Sequence, residues 1–253
     1  MRTFIINHKW VKFLLPAFFY LAIWGWAANQ VGQELLLPSP ALVGARFMHL
    51  VGQSAFWHIT LASLFRIMLG FFLGVLSGLG LAILTHCFLL CEVLLSPLIR
   101  AIRATPVVSF ILLTLVWFSS AAVPVFIVWL MVMPIVWQNM VAGIAAVDRQ
   151  LLEMAQVFRF GRGQIMRHIY VPAALPFFFS ACITSLGLAW KSGIAAEVLA
   201  VPVLAIGGKL HDAKVYLETP DLFVWTAVVI CLSLFLEKII KLALRRFGKV
   251  APL

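Results

Sequence analysis

The chain has 253 residues, 64% of them apolar and 11% charged, with 19 Lys and Arg against 9 Asp and Glu for a formal charge of +10. Soluble domains run near half apolar and a quarter charged, so this composition excludes a soluble globular protein and predicts an all-α polytopic membrane protein. At roughly 20 apolar residues per crossing, one membrane domain over 1–253 holds about six spans and leaves no room for a separate soluble domain.

Taken in chain order, the first span is predicted over 13–31. Its charge-free run ends without a small-x-small cleavage pattern and carries Trp24 and Trp26, so it reads as a retained span rather than a signal peptide. A short helix, too polar to cross, is predicted to start with Ser39 as N-cap and Pro40 at its first position. The second span is predicted over 64–86, where Gly70, Gly74 and Gly78 recur every fourth residue on one face; such spacing packs a helix against a close neighbour or a second copy of the chain.

Glu92, Arg100 and Arg103 mark a water-facing connection. No charged residue follows until Asp148, so two spans are predicted, over 104–118 and 122–145, joined by a turn at SSAAVP. A loop at 148–171 separates them from a fifth span over 172–195. A polar outer loop with Gly207-Gly208 and most of the remaining acids then leads to a sixth span over 221–243. Cys87, Cys91, Cys182 and Cys231 lie in or beside apolar segments without a CxxC pair, which reads as buried thiols with no metal site.

The lysines and arginines fall between apolar runs rather than on a foldable soluble unit, so they report orientation and not nucleic-acid binding. Six spans bring both termini to one side. Fourteen basic residues, including Arg2, Arg100, Arg103, Arg159 and Lys249, fall on that side, against Arg46, Lys209 and Lys214 on the other; the termini and the 148–171 loop are therefore expected in the cytoplasm.

That loop, EMAQVFRFGRGQIMRHIYVPAALP from Glu153, is the one basic, glycine-broken interruption of the apolar chain. Asp148 suits an N-cap, with Leu151, Leu152, Ala155 and Phe158 on one stripe; Gly161 and Gly163 break that helix, and Pro172 ends a second short one and starts the next span as a first-turn proline. The residues leave two placements open: lying in the lipid interface with arginines at anionic headgroups, or docking onto a cytoplasmic partner.

Glu153-x-Ala155, with Pro172 nineteen residues after the Glu, resembles the cytoplasmic "EAA" loop of ABC-importer permeases. LFRIMLGFFLGVLSGLGLA, SPLIRAIRATPVVSFILL, PIVWQNMVAGIAAVDRQLLEMA and SLGLAWKSGIAAEVLA are together similar to the nitrate/sulfonate/taurine branch of these permeases, a resemblance covering roughly 39–246. It implies the type I importer architecture, a bacterial cytoplasmic (inner) membrane location, two permease copies as a homodimer, two ATPase subunits and an extracytoplasmic binding protein. It also implies that Glu153, Ala155, Phe158, Arg159 and Gly161 sit in the segment that docks on the ATPase. No GxxxxGK[ST] is present, so the permease needs no cofactor of its own and ATP is expected on a partner. Two positions depart from the branch: Met154 replaces its usual Ala, and Arg159 its usual Gly. The turn is therefore expected about two residues later, at Gly161 or Gly163.

Ionisable groups inside spans favour protein or water, which makes Arg66 and Lys191, with Trp190 beside Lys191 and Glu197 at the far end of the fifth span, the translocation-path candidates. A structural pairing competes for Arg66, and anchoring of the outer loop competes for Glu197. Lys191 and Glu197 are six apart, so each needs some other partner. An ion-coupled secondary transporter would favour an inverted repeat, and a membrane enzyme would need a catalytic cluster; neither feature is visible in the sequence.

Overall fold

The computed structural model describes residues 9–247, and among them every regular element is helical. Arg2 and Lys249, used in the charge balance, lie outside those residues. The helices are α1 (Lys9–Val31), α2 (Pro40–Val51), α3 (Ser54–Cys87), α4 (Leu89–Ala104), α5 (Val107–Thr114), α6 (Ala122–Ala145), α7 (Arg149–Val157), α8 (Arg162–Ile165), α9 (Val171–Ala200), α10 (Ile206–Val215) and α11 (Thr219–Phe247). A π-helical turn, Met166–Tyr170, joins α8 to α9, making one continuous helical segment of 39 residues.

α3, α6 and α9 form the core, and the glycine repeat explains how closely they meet. A Cβ on Gly70, Gly74 or Gly78 would lie 2.8, 2.6 or 2.8 Å from the Cβ of Val128, Val132 or Val136, so the repeat on α3 matches a valine repeat of the same period on α6. The neighbour required by the repeat is thus within the same chain. Gly193 brings α9 to the same seam, where an added Cβ would stand 2.7 Å from Ile67 Cγ1.

The periphery is fixed by polar devices. Ser39 caps α2 by accepting from the Leu42 N–H at 3.3 Å, with Pro40 in the first turn as the sequence predicts. Arg46 of α2 grips Asp221 of α11 through both carboxylate oxygens, the second at 3.0 Å. Trp24 of α1 stacks on Phe223 at 5.5 Å and donates its indole N–H to the Pro38 carbonyl.

α3, α6, the α8 to α9 segment and α11 are each long and apolar enough to cross a membrane. The span expected over 104–118 is corrected. α5 has eight residues, about 12 Å of helix, and joins α4 at a 101° bend. Pro106 is the cause: it drives Thr105 into the extended region at φ −83°, ψ 134°, which stops α4, and α5 restarts in a new direction. The charge-free run therefore holds one helix long enough to span and the second, short arm of a bent helix pair. Pro172 stands in the first turn of α9 as expected, but it does not end the helix before it: the π turn Met166–Tyr170 runs directly into α9. The outer loop, finally, contains α10, packed on α9 and α11.

Candidate functional site

The 148–171 loop is built from its caps inward. Asp148 Oδ1 accepts the Gln150 N–H at 2.9 Å and starts α7. At the other end the Phe160 N–H reaches the Ala155 carbonyl at 2.8 Å and the Arg159 N–H reaches that of Gln156 at 3.0 Å, the paired bonds of a Schellman motif. Arg159 occupies its left-handed position, φ +52°. The expected displacement of the turn to Gly161 or Gly163 is overturned: Gly161 has φ −66° and caps α8 instead, its N–H donating to Gln164 Oε1 at 2.8 Å. Backbone hydrogen bonds, not the glycine, fix the turn, and an arginine bears the strain that a glycine would avoid.

The predicted stripe on α7 divides into two. Ala155 is buried and Leu152 half-buried, so these face inward. Leu151, Met154 and Phe158 form an adjacent exposed arc, at 44%, 43% and 68%. Glu153, Arg162, Arg167 and His168 of the same loop are exposed as well.

At the opposite end of α9 lies a buried polar clamp. Glu197 is fully buried. Its Oε1 accepts from Arg66 Nε at 3.0 Å and Nη2 at 2.8 Å, and its Oε2 from Ser63 Oγ at 2.8 Å and the Gly207 N–H at 3.1 Å. Arg66 Nη2 also donates to the Leu204 carbonyl at 2.7 Å, and the Ile206 N–H donates to Ser63 Oγ at 2.8 Å. The network ties α3 and α9 to the segment before α10, where Val201 and Leu204 hold positive φ of 45° and 53°. A Cβ on Gly207 would fall 2.3 Å from that of Glu197, so only glycine fits against the carboxylate's stem. Arg66 and Glu197 therefore partner each other, a pairing hidden from the sequence because it joins residues 131 apart.

The other two path candidates separate. Trp190 is buried with its indole N–H on the Val229 carbonyl at 2.9 Å, holding α9 to α11, whereas Lys191 is exposed. A groove with a mainly apolar lining that holds two arginines and a glutamine, missed in the sequence, lies between α4 and α6. Open space of about 370 Å³ is lined by Ser96, Arg100, Arg103, Trp137 and Gln138 with two aliphatic neighbours, and Arg103 Nη1 donates to Gln138 Oε1. The available signal was Gln138-Asn139, an amide pair inside an otherwise apolar run.

A family described as "binding-protein-dependent transport system inner membrane component" matches residues 70–248, which include the loop, the groove and the Glu197 and Gly207 side of the clamp. The riboflavin transport system permease protein RibX of Chloroflexus aurantiacus is 30% identical over 233 residues, covering 90% of this chain and 86% of the relative. The taurine transport system permease protein TauC of Escherichia coli is 27% identical over 220 residues, covering 85% and 80%. A crystal structure of an amino acid ABC transporter superposes with a TM-score of 0.60 at 21% identity, over 73% of this chain and 90% of that one, a likeness of fold.

Proposed function

The chain belongs to the binding-protein-dependent transport system inner membrane component family, and from that premise we propose that its 148–171 loop is the mechanical coupling to a separate cytoplasmic ATPase. The chain is the membrane permease subunit of an ABC import system for a small solute. It carries no GxxxxGK[ST], so ATP is hydrolysed on that partner. A binding protein delivers the solute on the outer side, and two permease copies enclose the path as a homodimer. The excess of lysine and arginine supports a cytoplasmic position for both termini and the loop in the bacterial inner membrane.

The observation that carries this reading is the exposed apolar arc of Leu151, Met154 and Phe158 at a helix too short and polar to cross, joined by one tight turn to the continuous α8 to α9 segment. Such a surface outside the bilayer calls for a protein cover, and the exposed basic side chains of the same loop add polar contacts. Co-purification of the ATPase with native permease and with Phe158→Asp and Met154→Asp, at matched membrane abundance, tests it. The native chain retains the ATPase and both variants lose most of it. Equal retention by all three refutes docking through this arc.

A further inference from the structure

Gln138 stands seven residues before Ala145, the end of α6 next to the loop, and sixteen after Ala122 at its other end. At 1.5 Å per residue that is about 10 Å from one end of the span and about 24 Å from the other, within the hydrocarbon layer. α4 brings Arg100 and Arg103 to this level, both exposed, with Arg103 bonded to Gln138. Guanidinium groups turned to lipid at such depth are costly, so this face meets water or protein. An independent feature of the same face agrees. The 101° break at Thr105–Pro106 leaves non-helical backbone in the membrane, which is tolerated only where protein or a water-filled cavity covers it. The groove's polar lining offers two guanidiniums, an amide and the Ser96 hydroxyl, and no carboxylate. Glu92, the nearest acid on α4, lies eight residues from Arg100 and lines a neighbouring groove with Thr85 and His86.

From these two observations we infer that the α4 to α6 groove is an anion site on the translocation path, taking the negative group of a compact oxoanion cargo such as a sulfonate. The inference rests on the importer reading above and moves the path from Arg66 and Trp190, which the clamp and the core occupy, to Arg100, Arg103 and Gln138. Paired arginines and an amide suit a compact oxoanion because each oxygen can accept a directed N–H.

The test places Arg103→Cys in an otherwise cysteine-free permease assembled with its ATPase in liposomes. It compares two thiol reagents, the anionic methanethiosulfonate ethylsulfonate and its cationic trimethylammonium analogue, each scaled to its rate on a free thiol. The anionic reagent should react faster by roughly tenfold, and Arg100→Gln should remove most of that preference. Millimolar methanesulfonate should slow the reaction. Absence of labelling, equal scaled rates, or protection by phosphatidylglycerol in the bilayer but not by methanesulfonate overturns the inference; the last outcome marks a lipid-headgroup site. ATPase retention is read in the same preparations. Its loss would refute the coupling loop while the labelling ratio still decides the groove.

Discussion

Replacing Arg66 by methionine is expected to cost about 3–5 kcal/mol, because it strips a buried carboxylate of its counter-charge while keeping the aliphatic stem. The geometry sets the size. The substitution removes the bonds of 3.0 and 2.8 Å to Glu197 Oε1 and the one of 2.7 Å to the Leu204 carbonyl, leaving only Ser63 and Gly207 on the other carboxylate oxygen. The Arg66 side chain is 13% exposed and that of Glu197 0%, so water cannot replace the lost donors and salt screens the pair little. Thermal unfolding in detergent, followed by tryptophan fluorescence, should show a midpoint lowered by roughly 6–20 °C on the scale of soluble domains of this size. Adding Glu197→Gln to the methionine variant neutralises the stranded charge and should recover a large part of the loss, since a neutral amide still accepts from Ser63 and Gly207. A single-variant loss below about 1 kcal/mol, or a double variant no more stable than the single, would refute the view that this ion pair holds the outer segment to α3 and α9.

Two further substitutions test backbone and packing arguments. Gly74→Ala places a methyl 2.6 Å from Val132 Cβ and should destabilise the α3 to α6 seam by about 1–3 kcal/mol; Val132→Ala in the same chain should restore part of it, measured in the same detergent melts. Arg159→Gly should stabilise the loop by about 1 kcal/mol through relief of its positive φ, whereas Gly161→Ala should be nearly neutral; hydrogen exchange of the Phe160 N–H against the Ala155 carbonyl reads both.

Periodicity and local chemistry carried far in this chain. The glycine repeat announced a close helix contact, Ser39 and Asp148 announced their caps, and the Glu153 to Pro172 spacing located the loop. What stayed hidden was nonlocal or conformational. Hydropathy saw an uncharged run over 104–147 but not that Pro106 would leave only the second, short arm of a bent pair in its first half. Composition placed glycines after Arg159, yet the hydrogen bonds from Arg159 and Phe160 put the left-handed residue at the arginine. Arg66 and Glu197 looked like separate intramembrane charges because no helical spacing relates residues on different helices. Arg100 and Arg103 looked like connection because a basic pair beside a proline is the ordinary mark of a loop; only the fold sets them against Gln138.

The unbroken path from loop to clamp has a geometric consequence. α9 is a single helix from Val171 to Ala200, with the π turn and the loop at one end and the Glu197 carboxylate near the other. Val171 to Glu197 spans 26 residues, about 39 Å of helix, so a tilt of about 10° about the loop end swings the carboxylate by about 7 Å. That travel exceeds the reach of every hydrogen bond the carboxylate makes. α9 thus has the geometry of a lever arm with its catch at the long end: a tilt of that size about the loop end would part Glu197 from Ser63, Arg66 and Gly207 together.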